Sequence, residues 1–310
     1  MEWLEITIST TAADIQAEAA ALTAGGFPEL VIEDQAEFET FLDENRAYWD
    51  YIDEDFQNRL QGLSRIKLYL ESDDKAGLDR LTALCEKKNL PMTVSTLAET
   101  NWEESWKDNY PPQLIGEKLI VLPYWLSDET DGRLPIILDP GLTFGTGAHP
   151  STQMVMEAME EIVHPGMTCL DLGSGSGILS IAALRLDASS AIGVDIDPKA
   201  EDIARENAGY NGFETPAFTA LTGNVTEDKQ LMAQLGSRAY DLVLVNIVAD
   251  VIIGLAPVLP NFLDEHSTVI CSGILDTRLQ DVTAALEKAG LEVTSLRSRE
   301  DWRCVTAKRR

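Results

Sequence analysis

The feature that most constrains this chain is a repeated change of hydrophobic period. From residue 114 onward, short apolar runs of strand length alternate with amphipathic stretches of helical length, and the connections between them are short. Extended runs fall at residues 168–172, 190–195, 217–222, 240–246, 268–271, 291–295 and 302–307, after shorter pieces at 119–123 and 135–138. Helical periodicity occupies 151–163, 178–186, 198–210, 251–263 and 277–289. Strands that alternate with helices pair in parallel and bury both faces under the crossover helices. The expectation for residues 114–310 is an α/β, Rossmann-like fold, a doubly wound sheet of seven strands. Its ligand would lie at the carboxyl ends of the strands.

The first hundred residues read differently. Residues 3–9 alternate as a strand, and Thr10 or Thr11 can cap a helix over 12–23 that Gly25-Gly26 stops. Residues 30–32, 65–70 and 92–97 read as further strands, and 73–89 as an amphipathic helix. The order βαββαβ suits a small α+β, ferredoxin-like domain over residues 1–98. Inside it, residues 33–55 are strongly acidic, with Tyr48, Trp49 and Tyr51 interleaved. That stretch is either a solvated loop or a docking surface for a basic protein. Residues 99–113 read as a linker helix, with Trp102 and Trp106 on one face and Pro111-Pro112 as its stop.

Charge narrows the partners. Of 310 residues, 52 are acidic and 24 basic, a net charge of −28. Neutralising phosphates needs surplus Lys and Arg, so direct nucleic-acid binding is not expected, nor is attraction to an anionic membrane. The four cysteines form no C-x-x-C pair and the three histidines are scattered, so no metal site is expected. The acidic, alternating start of the chain does not resemble a signal peptide. The acidic charge fits either a basic partner or plain solubility, and the expectation is a cytoplasmic protein that is a monomer.

The chemistry concentrates in Asp171-Leu172-Gly173-Ser174-Gly175-Ser176-Gly177, between a strand and a helix. Glycines allow a tight turn and close approach to a ligand, and the helix start supplies N–H donors. A nicotinamide fingerprint is spaced G-x-G-x-x-G. Here the spacing is G-x-G-x-G behind an aspartate, which is typical of S-adenosylmethionine sites. Asp171 can serve that cofactor's ammonium, and Gly173 and Gly175 let the backbone approach it. Asp195, at the end of the next strand, can accept from ribose hydroxyls, and Asp197 can cap the helix opened by Pro198.

A second glycine-rich run spans 139–152. In it Thr152 can donate toward the methionine end of the cofactor and Phe144 can wall off the sulfonium. His149 is either a base or a structural residue at the helix start. In the run Val245-Asn246-Ile247-Val248-Ala249-Asp250, Asn246 either meets the acceptor of the methyl group, as a catalytic residue that also contacts the cofactor, or caps the next helix. From the residues alone, three classes stay open: a protein methyltransferase, a methyltransferase of RNA or small molecules, and a module that binds the cofactor without turnover.

Taken together, the motifs resemble the bacterial ribosomal protein L11 methyltransferase family. The resemblance rests on N-W-E-E-S-W-K-D-N-Y (101–110), L-D-P-G-L-T-F-G-T-G-A-H-P-S-T (138–152) and C-L-D-L-G-S-G-S-G-I-L-S-I-A-A-L (169–184). It extends to G-V-D-I-D-P (193–198), V-N-I-V-A-D (245–250), S-G-I-L (272–275) and D-W-R-C (301–304). It implies transfer of methyl groups from S-adenosylmethionine to lysine side chains and an N-terminal amine of a basic ribosomal protein, free before assembly, up to trimethylation. It also implies that the N-terminal domain grips the substrate, and that Thr152, Gly173, Asp195 and Asn246 contact the cofactor.

Overall fold

The computed structural model describes residues 3–34, 64–97, 110–140 and 147–310. The chain divides into two compact units, Met1–Asn109 and Tyr110–Arg310. The expected linker helix falls outside the described residues up to 109. Residues 110–112 are irregular, and Gln113 already belongs to a strand of the second unit. Most of the acidic 33–55 stretch also lies outside the described residues.

In the first unit, β1 (Trp3–Ser9), α1 (Ile15–Ala24), β2 (Val31–Asp34), β3 (Ser64–Glu71), α2 (Lys75–Lys88) and β4 (Met92–Leu97) follow in that order. The sheet runs β2-β3-β1-β4, antiparallel throughout. Period-two alternation sends Ile6, Ile8, Ile66 and Leu68 to one face, where Ile15, Leu22, Leu81 and Cys85 of the helices cover them. The helix α1 starts later than the threonine cap suggests. Thr11 hydroxyl bonds to Asp14 Oδ2 and its carbonyl accepts from Ile15 N, so Thr11 shapes the turn before the helix.

The second unit begins with a small three-stranded sheet, β5 (Gln113–Ile115), β6 (Leu119–Pro123) and β7 (Leu134–Leu138). Then come α3 (Pro150–Ile162), β8 (Thr168–Leu172), α4 (Ile178–Arg185), β9 (Ser190–Asp195), α5 (Pro198–Tyr210) and β10 (Phe218–Thr222). The chain continues with α6 (Lys229–Leu235), β11 (Leu242–Asn246), α7 (Ala249–Leu255), β12 (Thr268–Leu275), α8 (Leu279–Lys288), β13 (Leu291–Arg299) and β14 (Trp302–Arg309). The large sheet has seven strands in the order β10-β9-β8-β11-β12-β14-β13, with only the β12–β14 and β14–β13 pairings antiparallel. Sequence order reverses between β8 and β11, which opens a crevice at their carboxyl ends.

Strand alternation sorts the core into two layers. On β11, Leu242 and Leu244 face one layer and Val243 and Val245 the other, all four buried. The same parity governs the neighbours. Asp171 pairs with Leu244 on one side and Gly193 on the other, so it shares the face of Leu242 and Leu244. Asp195 and Asn246 lie two residues beyond Gly193 and Leu244, at the strand ends of that same face. Parity therefore brings the three polar residues singled out on β8, β9 and β11 to one side of the sheet, the side layered by α3 and α4.

Among the described residues, no helix is long and apolar enough to cross a membrane. All four cysteines are buried free thiols.

Candidate active site

The glycine loop turns through three left-handed residues, with φ of 79° at Gly173, 49° at Gly175 and 79° at Gly177. Two of them are also closed to a side chain. A Cβ on Gly173 would stand 2.5 Å from Ile247 Cγ2, and one on Gly177 would stand 3.0 Å from Ala204 Cβ. Gly173 thus lets the loop after β8 pass against the turn after β11, and Gly177 lets α4 pack closely on α5.

Asp171 is fully buried below this loop. Its Oδ2 accepts from Ser180 N at 3.1 Å and from Ser180 Oγ at 2.8 Å, both in the first turn of α4. Its Oδ1 is buried with no hydrogen-bond partner. Burial raises the carboxyl pKa to about 7; the bonds from Ser180 pull it down, and the Asp195 carboxylate pushes it further up.

Asp195 is bound to its own surroundings on both oxygens. Oδ2 accepts from Gly175 N at 2.8 Å and Oδ1 from Asp197 N at 3.0 Å. The first bond fastens the glycine loop to the end of β9. A carboxylate oxygen has a second lone pair, so both oxygens retain capacity for hydroxyl donors. Beside it, Ile196 is 64% exposed, an aliphatic surface at the rim of the crevice. Asp197 caps α5 by accepting from Lys199 N at 2.9 Å.

On the other side of the crevice, Asn246 Nδ2 donates to Thr152 Oγ1 at 3.0 Å. Thr152 is buried in the first turn of α3. Asn246 Oδ1 is buried and without a partner. Asn246 does not cap α7; Val248 holds the cap position, with no side-chain bond. His149 caps α3, its Nδ1 accepting from Ser151 N at 3.3 Å, and its ring lies edge-on to Trp302 with centroids 4.5 Å apart. Burial depresses the His149 pKa, against a smaller opposing pull from Glu300. The role of His149 in the structure is to start α3. Phe144 lies outside the described residues.

Neighbouring elements hold these pieces. Arg299 of β13 donates to Gln153 Oε1 at 2.6 Å and Glu157 Oε1 at 2.9 Å, which fixes α3. The carboxylate of Glu160 accepts from the backbone N–H groups of Glu117, Lys118 and Leu119, binding the other end of α3 to the β5–β6 turn. The turn after β11 is held by β12. Ile247 N donates to Ser272 O at 3.2 Å, and a Cβ on Gly273, where φ is 79°, would stand 2.5 Å from Ile247 O. Arg278 further ties Asp250 to the segment beyond β12.

Sequence reading missed Ser180, Gly273 and Asn207. Ser180 is a small polar residue inside an apolar helix, and Gly273 interrupts a strand of apolar residues. Asn207 stands four residues from Asn211 on the alanine-rich buried face of α5. Each is a polar or side-chain-free residue at a core position, which was the available signal.

The two buried oxygens without partners are Asp171 Oδ1 and Asn246 Oδ1, and the start of α4 adds the N–H groups of Ile178 and Leu179, Ser180 N being bound to Asp171. The oxygens suit cationic or N–H donors, and the helix start suits a carboxylate. A ligand carrying both an ammonium and a carboxylate, such as the amino-acid end of S-adenosylmethionine, matches this donor set.

Comparison with known proteins agrees over the full length. A family model described as ribosomal protein L11 methyltransferase matches residues 2–310. The protein of that name from Heliobacterium modesticaldum is 35% identical over 322 residues, covering 100% of this chain and 98% of its own. That from Alkaliphilus oremlandii is 36% identical, covering 99% of each. Among solved structures, the ribosomal protein L11 methylase of Lactobacillus delbrueckii subsp. bulgaricus is similar at a TM-score of 0.58 and 30% identity. That likeness covers 64% of this chain and 99% of the other.

Proposed function

The chain belongs to the ribosomal protein L11 methyltransferase family, and on that premise we propose that the crevice at the ends of β8, β9 and β11 is where cofactor and acceptor amine meet. The enzyme is an S-adenosylmethionine-dependent methyltransferase acting on lysine residues of ribosomal protein L11. The observation that carries the site assignment is the pair of buried, unpartnered oxygens, Asp171 Oδ1 and Asn246 Oδ1, on one face of the sheet.

S-adenosylmethionine supplies a methyl group already activated by its sulfonium, so the protein's work is orientation and desolvation. Asp171 Oδ1 and the first turn of α4 hold the ammonium and carboxylate of the amino-acid end. Asp195 takes the ribose hydroxyls on its remaining lone pairs, and Ile196 covers the base. Thr152, whose oxygen accepts from Asn246, keeps its own hydroxyl proton for a further acceptor. Asn246 Oδ1 accepts an N–H of the incoming amine and leaves that nitrogen's lone pair to attack. A lysine amine, with a pKa of about 10.4 in water, must first shed its proton, which a site free of competing water favours.

In this reading the N-terminal unit, residues 1–98, recognises the substrate, and residues 99–113 link it to the catalytic unit at 114–310. The substrate is the free ribosomal protein before assembly. It is methylated at lysine side chains and at its N-terminal amine up to trimethylation, by a monomer working in the cytoplasm. Gly175 offers its backbone to the cofactor, and walling off the sulfonium is the part proposed for Phe144 on the sequence alone.

The testing experiment incubates the purified enzyme with S-adenosylmethionine and unmodified L11 and weighs the product intact. Mass gains in steps of one methylene, removed by an Asn246 substitution, support the reading; L11 that keeps its unmodified mass overturns it. Two more variants test parts of the site. Asp195→Ala is expected to raise the S-adenosylmethionine Kd by more than about tenfold in titration calorimetry, and an unchanged Kd removes Asp195 from the ribose role. Gly273→Ala puts a Cβ against the Ile247 backbone. It should displace the turn behind Asn246 and lower kcat about tenfold, while the cofactor Kd, read in parallel, moves little.

A further inference from the structure

We infer that Asn207, a fully buried amide on α5, is a positioning residue that locks the glycine loop of the cofactor site to the residue that follows β7. Its Oδ1 accepts from Asp139 N at 2.9 Å and its Nδ2 donates to Ser176 O at 2.9 Å. Asp139 follows the last residue of β7 and opens the run that leads to Thr152. Ser176 lies inside the loop between Gly173 and Gly177. One side chain therefore fixes both backbones where they are no longer held by sheet pairing.

The same helix reaches the third part of the site. It begins at Pro198, capped by Asp197, two residues after Asp195, and Asp195 itself accepts from Gly175 N. The glycine loop is thus gripped from two points of one rigid segment: by Asp195 before α5 and by Asn207 in its last turns. Ala204, one turn before Ala208 on the same face, is the residue against which Gly177 packs. Both polar atoms of the Asn207 side chain are shut off from bulk solvent, because the side chain is wholly buried. Removing it takes away the bond to Asp139 N and the bond to Ser176 O together, and with them the side chain that ties these two backbones to each other.

Asn211, one turn further along, supplies an internal comparison. It holds β7 through Ile137 N at 2.9 Å and Ile137 O at 2.7 Å, accepts from Arg185 and donates to the Asn207 carbonyl. It bonds strand and helix backbones and makes no bond to the glycine loop. Two buried asparagines, one in α5 and one just past its end, thus divide the work, Asn211 serving the fold and Asn207 the geometry of the cofactor loop.

The inference rests on the proposed cofactor site, so the experiment begins with wild-type binding. Full-length wild type, Asn207→Leu, Asn207→Asp and Asn211→Ala are compared for S-adenosylmethionine Kd by titration calorimetry, for thermal midpoint, and for the KM of each substrate. Asn207→Leu keeps the volume and removes both bonds. It should weaken the cofactor Kd about tenfold or more and raise the cofactor KM to match, with the KM for L11 within about twofold of wild type. Asn207→Asp keeps the acceptor for Asp139 N and loses the donor to Ser176. It should fall in between, and it decides the matter where the leucine variant does not fold. Asn211→Ala should lower the midpoint and leave the cofactor Kd unchanged. Wild-type binding with Asn207 variants that lose stability but keep the wild-type Kd overturns the inference alone. Failure of wild type to bind overturns the site assignment with it.

Discussion

An Asn246→Ala enzyme is expected to lose about 100-fold in kcat for methyl transfer to L11, with only a few-fold change in the KM for S-adenosylmethionine. The expectation follows from how the amide is held. Nδ2 donates to Thr152 Oγ1, and Thr152 is buried at the start of α3. With the amide in this orientation, Oδ1 is the group presented, buried and unpaired. A neutral amine that donates one N–H to this oxygen has its lone pair fixed in direction. Without it the amine still enters the site, but samples orientations in which its lone pair misses the methyl carbon. Asn246→Asp separates orientation from simple acceptance: a carboxylate would hold the acceptor as an ammonium and slow transfer most at neutral pH, with recovery as pH rises. Thr152→Val, which frees the amide without removing it, should cost less, about tenfold. Single-turnover rates on L11 check all three, and wild-type turnover in Asn246→Ala would remove Asn246 from the chemistry.

The placement of that residue was legible in the chain because it depends on strand parity and on where strands end. Asp171, Asp195 and Asn246 share one face near the carboxyl ends of three strands, Asp171 level with Gly193 and Leu244 and the other two one pleat beyond, and β8, β9 and α5 match their expected bounds. Legibility failed where an element was short or interrupted. Three-residue β5 follows two prolines, and seven-residue α6 offers too little periodicity to detect, although Asp228 caps it by accepting from Gln230 N and Leu231 N. The helix expected over 251–263 ends at Leu255. Pro257 lacks the N–H that would continue it, and the chain resumes as a short 3-10 turn over Leu259–Phe262. The strand expected at 268–271 runs on to Leu275 because an irregularity between Cys271 and Ile274 lets β12 keep pairing with β14. In the proposed site, sequence supplied the groups assigned to the ligand and missed those whose role is toward other protein groups. Ser180 and Asn207 act through buried bonds to partners far along the chain, and Gly273 acts by having no side chain where Ile247 passes. Such roles depend on tertiary distances that no local pattern encodes.

Replacing Asp171 by Asn is expected to have opposite effects on the protein without cofactor and on cofactor binding. The carboxyl is fully buried, and its pKa is raised from an ordinary aspartate value to about 7, mainly by that burial. The sign follows from linkage: below about pH 4 the group is protonated in both folded and unfolded chains and costs nothing. Between pH 4 and 7 the unfolded chain releases the proton more readily, so the folded state loses stability as pH rises, and the loss is complete above 7. An asparagine removes this penalty. Its oxygen can still accept from Ser180 N and Oγ, as Asp171 Oδ2 does at 3.1 and 2.8 Å. The ligand-free variant should therefore melt a few degrees higher than wild type at pH 8, and much nearer to it at pH 5. Binding should move the other way. In the proposed site the buried Oδ1 faces the cofactor's ammonium, and truncating one partner of a buried, hydrogen-bonded charge pair costs about 2–5 kcal/mol, so the Kd should weaken about 30-fold or more. The same ion pair predicts that wild-type affinity falls as pH drops below 7, because the carboxyl must give up its proton to receive the cation. From pH 8 to pH 5.5 the loss should be about 30-fold, and it should be absent in Asp171→Asn. Calorimetric Kd values are the right readout, since turnover also tracks deprotonation of the acceptor lysine. A variant that binds as tightly as wild type, with the same flat pH dependence in both, would place the ammonium elsewhere and leave Asp171 as a buried support for α4.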